Sequence, residues 1–134
     1  MELQGIAPGQ TGRSELRVGE EHTAPSIGSG KVRVLATPVM INLIEAAALA
    51  AVEHRLPPGY QSLGTHLDVR HIAATPVGMK VVAVAEVTRV EGRSIFFSVT
   101  ARDEIDLIGE GRHERVVVNV AKFDLRVQKK LSRP

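Results

Sequence analysis

The stretch LATPVMINLIEAAALAAVEHRL, residues 35–56, constrains the fold most because it predicts one long helix that is apolar on nearly every side. Thr37 is suited to the N-cap and Pro38 to the first helical position, while Pro-Pro-Gly at 57–59 ends the run. A helix of this kind should be wrapped by other structure. Glu45 lies inside it, and burying a carboxylate is costly unless it is paired or neutralised. Glu45 therefore needs a partner.

Composition narrows the possible functions. The chain has 134 residues, of which 43% are hydrophobic but only 3% aromatic, so its core must be aliphatic. It has no cysteine, which excludes disulfides, thiolate metal sites and a cysteine nucleophile. A net charge of +2 and few aromatics do not indicate nucleic-acid binding, but they suit an anionic small ligand.

Asn42 and Glu45 interrupt the apolar helix, which argues against a membrane span, and the first residues lack a signal-peptide pattern. We therefore expect a cytoplasmic protein with no nucleic-acid or membrane partner.

The order of elements predicts the fold class. Residues 15–23 favour a first strand, and four β-rich runs follow the helix, at 64–74, 79–90, 94–103 and 107–123. One long apolar helix followed by such a meander indicates an α+β hotdog fold, a curved antiparallel sheet wrapped around the helix. The sheet edges would need cover, so dimerisation is expected. Residues 1–14 are expected to be flexible, 15–128 to form a single domain, and 129–134 to be a solvated tail.

Strand alternation places one histidine near the helix. Side chains on alternate positions share a face of a strand. One face carries Thr65, Leu67, Val69, His71 and Ala73. Since Leu67 and Val69 should face the helix, His71 should also lie there, where Glu45 needs a partner. Such a pair is either a structural bond or an acid/base pair with pKa values near neutrality, and spacing alone favours the structural bond.

Thr37 likewise has two interpretations: an N-cap, or a member of the same groove. It precedes Glu45 by eight residues, about 80° in projection and roughly 12 Å along the helix. The two side chains can line one groove without sharing a hydrogen bond within one chain. In a dimer, groups from two chains could complete the set.

Other motifs carry less information. GSGK at 28–31 fails the phosphate-loop pattern, and there is no G-x-S-x-G sequence. His66 and His71 fall on opposite strand faces, so they make a poor metal pair, and no metal site is expected.

The sequence resembles the fluoroacetyl-CoA thioesterase-like branch of the hotdog thioesterases over most of the chain from residue 16 to 128. The matching stretches are ELRVGE at 15–20, LATPVMINLIEAAA at 35–48, SLGTHLDVRHIAATPVG at 62–78, VEGR at 90–93 and GEGRHERVVVNVAKF at 109–123. The most specific feature of the resemblance is a threonine and a glutamate eight residues apart, followed further along the chain by a histidine shortly before the sequence AATP at 73–76. The resemblance implies that Thr37, Glu45 and His71 form the catalytic set.

The resemblance also implies an acyl-CoA substrate, no cofactor beyond the CoA of that substrate, and a homodimer, or a tetramer built from it, with the site near the subunit interface. The family's type enzyme has an aromatic-rich lid before the helix. The corresponding segment here, APSIGSGKVRV, has no Phe or Tyr. A different or broader acyl group than fluoroacetyl is therefore expected.

The resulting hypothesis is hydrolysis of a small or medium acyl-CoA thioester. Glu45 would be nucleophile or general base and His71 the acid/base. Thr37 would position Glu45 of its own or the partner subunit, or the substrate carbonyl. Backbone N–H groups near Gly64, or a helix N-terminus, would stabilise the oxyanion. A non-catalytic binder of acyl-CoA or another apolar ligand is the alternative. A hotdog hydratase is a third, but no Asp–His pair in a suitable pattern supports it.

Overall fold

The computed structural model describes residues 3–132 as one antiparallel sheet packed on a long helix. The strands are β1 (Thr11–Arg17), β2 (Tyr60–His71), β3 (Lys80–Glu91), β4 (Ser94–Arg102) and β5 (Leu107–Asn119). The helices are α1 (Ala24–Ile27), α2 (Thr37–Val52) and α3 (Val120–Gln128), with 3₁₀ turns at Glu20–His22 and Glu53–Arg55. The strand order is β1-β3-β4-β5-β2. This is the α+β arrangement that the sequence predicts.

The core lies between α2 and the concave face of the sheet, and strand alternation produces that face. On β3 and β4, every second residue is buried and the others point outward, as period-2 patterning requires. The buried set on these strands is Val81, Ala83, Ala85, Val87, Ile95, Phe97, Val99 and Ala101. The many small side chains let α2 lie close to the sheet.

Helix α2 and the sheet approach each other closely at Gly12 on β1. A Cβ atom there would stand 2.1 Å from the carbonyl oxygen of Ala47 and 2.3 Å from the backbone nitrogen of Ala51. Both atoms belong to the helix backbone, so they cannot move aside locally. Gly12 is therefore required for α2 to pack on β1 at this distance.

Three predicted strands have clearly different bounds in the structure. The strand expected at 64–74 is β2, which runs from Tyr60 to His71. The last strand was expected to reach residue 123, but β5 ends at Asn119, whose side chain caps α3 by accepting a hydrogen bond from the Lys122 backbone at 3.1 Å. The first strand begins at Thr11 and ends at Arg17, whereas 15–23 was expected.

Within the terminal segment expected to be flexible, Leu3 and Ile6 are buried against the core. Residues 1–2 of that segment and 133–134 of the expected tail lie outside the described range. The division into 1–14, 15–128 and 129–134 stays a prediction.

One stripe of α2 is left uncovered, so the expectation that the helix is wrapped on all sides was wrong for a single chain. Asn42, Leu49 and Ala50 are exposed, and Glu45 and Ala46 are half-buried. β2, which pairs only with β5, is an edge strand, and its Leu63 and Leu67 are each 39% exposed. Among the described residues, no helix is long and apolar enough to cross a membrane.

Candidate active site

Thr37 begins α2 and binds His71. Its Oγ1 lies 2.8 Å from His71 Nδ1. The expected N-cap role was wrong: Ala36 holds that position, and Thr37 is the first helical residue. Its side chain is therefore free of the cap and is directed to the end of β2.

His71 is the last residue of β2 and is half-buried. Its Nε2 is fully buried, and no hydrogen-bond partner for it exists among residues 3–132. Burial lowers the pKa of His71, and a backbone hydrogen bond with Ala73 opposes that shift. The imidazole is thus held neutral. Its Nδ1 is hydrogen-bonded to Thr37, and its Nε2 can bond to a further group.

Glu45 lies two helical turns after Thr37, and its partner is Arg115. Arg115 Nη1 donates to Glu45 Oε2 at 3.3 Å. The expected pairing of Glu45 with His71 inside one chain was wrong, because these side chains bond to Arg115 and Thr37 instead. Full burial of Glu45 was wrong too: its side chain is 36% exposed, along the uncovered stripe of α2.

Arg115, on β5, is 5% exposed and is satisfied by a dense set of acceptors. Nε donates to Ser62 Oγ at 2.8 Å, and Nη2 donates to the Ser62 carbonyl at 3.1 Å. Ser62 in turn donates to Glu53 through its backbone nitrogen at 2.8 Å and its hydroxyl at 2.7 Å. Two carboxylates, Glu45 directly and Glu53 through Ser62, thereby balance a buried cation.

His113 completes this network from the same face of β5. It is fully buried, and its Nε2 lies 3.1 Å from Arg115 Nη1. Because a guanidinium can only donate, Nε2 accepts, which leaves the proton on Nδ1, 2.8 Å from the His66 carbonyl. Burial lowers the pKa of His113, and the charge of Arg115 lowers it further. His113 is therefore a neutral imidazole of defined tautomer.

A β-bulge brings these two groups of residues onto one face. The β2–β5 register pairs Gly64 with Arg115 and Leu67 with His113, so three residues of β2 span two of β5. Ser62 and Gly64 therefore face α2 together with His71, although simple alternation would place them on the opposite side.

Gly64 permits close contact with Glu45. A Cβ atom at Gly64 would stand 2.6 Å from Glu45 Oε2 and 3.2 Å from His113 Cε1. The absence of a side chain lets the backbone of β2 approach the carboxylate directly.

A cavity of about 400 Å³ adjoins Thr37 and His71. Its walls are the loop between α1 and α2 and the segment after β2. The lining residues are Ala24, Ser29, Gly30, Lys31, Val32, Val34, Leu35, Thr37, His71, Ile72, Ala73 and Ala74. A small, largely aliphatic group can be held beside the imidazole. Within residues 3–132, no cluster of three or more His, Asp or Glu side chains could hold a metal ion.

A family profile described as FlK, fluoroacetyl-CoA-specific thioesterase, matches residues 18–121. The chain belongs to this family. It is 45% identical over 97 residues to a fluoroacetyl-CoA thioesterase of Streptantibioticus cattleyicolor, covering 72% of this chain and 70% of that protein.

Solved structures agree with this assignment. The fluoroacetyl-CoA thioesterase FlK superposes with a TM-score of 0.88 at 36% identity, covering 96% of this chain and 98% of that chain. A Thermus thermophilus hypothetical protein, described as a thioesterase superfamily member, has a TM-score of 0.89 at 32% identity, covering 96% and 95%. The predicted family, hotdog fold and thioester-hydrolase class are confirmed.

The sequence analysis missed half of this candidate site. It named Thr37, Glu45, His71 and Gly64, but not Arg115, His113, Ser62 or Glu53. A signal for Arg115 was present, because Gly111, His113, Arg115 and Val117 alternate on one face of β5. A cation on a face shared with buried valine is the natural partner for a carboxylate in the facing helix.

Proposed function

We propose that this protein hydrolyses small or medium acyl-CoA thioesters to the free acid and CoA. The observation that carries the proposal is the Thr37–His71 pair beside an aliphatic cavity, with a buried His71 Nε2 that has no partner within residues 3–132. A variant of FlK has been solved in complex with acetyl-CoA, at 35% identity to this chain. Because the loop over the cavity lacks aromatic side chains, the acyl group accepted here is different from or broader than fluoroacetyl.

The active form is a homodimer with its site between subunits. β2 is an open edge strand, and the uncovered stripe of α2 contains Glu45. An antiparallel partner helix would place its Glu45 alongside the Thr37–His71 pair of the first subunit. That contact would give the buried Nε2 a partner and cover Leu67, the exposed leucine on the helix-facing side of β2.

The reaction runs on side chains and water, without a cofactor. Glu45 either attacks the thioester carbonyl, giving an anhydride that water hydrolyses, or removes a proton from the attacking water. The C–S bond breaks as a C–O bond forms, and the proton that the water molecule loses passes through the neutral His71 to the CoA thiolate. Thr37 orients the imidazole, Arg115 holds the Glu45 carboxylate in position, and the backbone at Gly64 contacts the substrate. The cytoplasmic location stays a prediction.

Thiol release from a panel of acyl-CoAs tests the activity. Glu45→Gln should lower kcat by about 100-fold or more while leaving the melting temperature nearly unchanged. Turnover within a few-fold of wild type would remove Glu45 from the mechanism. Tight binding of acyl-CoA without thiol release would overturn hydrolysis itself.

Mixed dimers test the shared site. Glu45→Gln and His71→Asn variants are each expected to be nearly inactive. When they are unfolded together and refolded, a heterodimer has one site with both native groups only if Glu45 and His71 act across the interface. Recovered activity in the mixture supports the shared site, whereas a mixture as inactive as its components places both groups in one chain.

A further inference from the structure

The cavity beside His71 carries an unbalanced positive charge. Among the residues that the structure describes in its wall, only Lys31 and His71 have titratable side chains, and none has a carboxylate. His71 is held neutral by burial, so Lys31 is the one fixed charge on the wall. The remaining lining is made of small and aliphatic residues.

The two cations of the α1–α2 loop differ in their partners. Arg33 forms hydrogen bonds to both carboxylate oxygens of Glu20, including two from Nε at 2.6 and 2.9 Å, and lowers the pKa of Glu20. Lys31 makes no hydrogen bond or salt bridge within residues 3–132. Glu20 is therefore already engaged by Arg33, and the Lys31 ammonium remains available to a ligand.

We propose that Lys31 binds the terminal carboxylate of an ω-carboxyacyl group, so that this enzyme prefers dicarboxylic acyl-CoA thioesters over neutral ones of similar length. This inference rests on the proposed hydrolysis. The apolar stem of such a group matches the Val, Ala, Leu and Ile lining, and its far end meets the cation. The four-carbon stem of Lys31, beside Gly28 in the left-handed region (φ 78°) and Gly30, can follow acyl chains of several lengths.

The phosphates of CoA are another source of negative charge. They lie at the far end of the pantetheine arm from the reacting carbonyl, whereas Lys31 shares a cavity with His71. A contact to phosphate would act equally on every acyl-CoA. A contact to the acyl carboxylate changes only the ratio between charged and neutral substrates.

The test is the ratio of kcat/KM for succinyl-CoA to that for butyryl-CoA, after subtraction of spontaneous thiol release. Lys31→Met should lower this ratio by about three- to tenfold, and Lys31→Glu should lower it further. Lys31→Arg should retain most of it. The double variant Glu20→Gln/Arg33→Met is the matched control, since it removes a cation from the same loop without freeing a carboxylate for Lys31, and it should leave the ratio unchanged.

A ratio that Lys31→Met leaves unchanged would overturn the proposal. Unchanged kcat/KM values on both substrates would show that Lys31 contacts neither, and an equal loss on both would assign Lys31 to the CoA phosphates. Binding of the thioether analogues carboxypropyl-CoA and butyl-CoA by calorimetry provides a readout independent of turnover. A preference for the carboxylated thioether that Lys31→Met abolishes supports the inference even if no thioester is cleaved. Hydrolysis of butyryl-CoA with no such preference removes only the inference about Lys31.

Discussion

Two polar clusters on the same helix face differ in how completely they are satisfied. Around Arg115, the guanidinium bonds to Ser62, Glu45 and His113, and Glu53 extends the network. The Thr37–His71 pair has one mutual hydrogen bond and a buried nitrogen with no partner within residues 3–132. A saturated network fixes charge and geometry, whereas an unsaturated pair is where a substrate or a second subunit can bind. The Arg115 network therefore stabilises the structure around the site, whereas the Thr37–His71 pair still offers a hydrogen-bonding group.

The largest expected effect comes from breaking the saturated network. Arg115→Met removes the cation but leaves Glu45, Ser62 and His113 without their donor. We expect the free energy of unfolding to fall by about 3–5 kcal/mol, since one partner of a buried ionic network is lost. Urea denaturation followed by circular dichroism measures this change. Arg112→Met on the exposed face of β5 is the control, because its contact to Asp68 is solvent-accessible. Equal, small effects of the two substitutions would contradict the structural role of Arg115.

The unsaturated pair should show the reverse pattern, with activity lost and stability kept. Thr37→Val keeps the side-chain shape but removes the hydroxyl that orients His71. We expect kcat to fall by roughly 10- to 100-fold with a change in stability below about 1 kcal/mol. Thr37→Ser retains a hydroxyl and should recover most of the rate. If the Val and Ser variants behaved alike in thiol release, the hydroxyl would have no part in the reaction.

A substitution at Gly64 tests the position of the Glu45 carboxylate by steric crowding, without removing any polar group. Gly64→Ala would place a methyl group 2.6 Å from Glu45 Oε2, which ends a flexible side chain and can move aside, and 3.2 Å from Cε1 of the buried His113 ring, which must shift by a few tenths of an ångström. The fold should tolerate it, with a loss of stability of about 1 kcal/mol or less. We expect kcat to fall by about tenfold because Glu45 leaves its position. Ser62→Ala is not a suitable control because Ser62 accepts hydrogen bonds from Arg115. Leu63→Ala, on the exposed side of β2, is used instead. Unchanged kcat in Gly64→Ala would show that the carboxylate position is not critical.

The smallest effect concerns pH. His71 and His113 both have a folded-state pKa lowered by burial. The folded state then binds fewer protons than the unfolded state, so stability is fully present above the unfolded value of about 6.5 and is lost as pH falls below it. The melting temperature should therefore drop between pH 7 and pH 5. His113→Gln, which keeps an acceptor for Arg115 but does not titrate, should flatten that dependence. A slope equal to wild type would argue against a neutral, buried His113.

The sequence identified Glu45 and His71 more readily than Arg115 and His113. Glu45 is conspicuous as an acid in the middle of an apolar helix, and alternation placed His71 with Leu67 and Val69 on the helix-facing side. Arg115 escaped notice because it lies 70 residues from Glu45, and only the β2–β5 register brings it there. The bulge after Gly64 was not predicted from the sequence, and it places Gly64 and Ser62 on the same face as His71.

By itself, the sequence determined the long helix, the strand periodicity and the presence of an acid requiring a partner, because these depend on patterns within a short stretch of chain. Only the tertiary structure decided that Thr37 bonds to His71 rather than capping its helix, and that Glu45 pairs with Arg115. Those choices depend on which side chains from distant segments arrive within hydrogen-bonding distance. Strand register, the bulge and the close packing of α2 on Gly12 set those distances, and no local propensity encodes them.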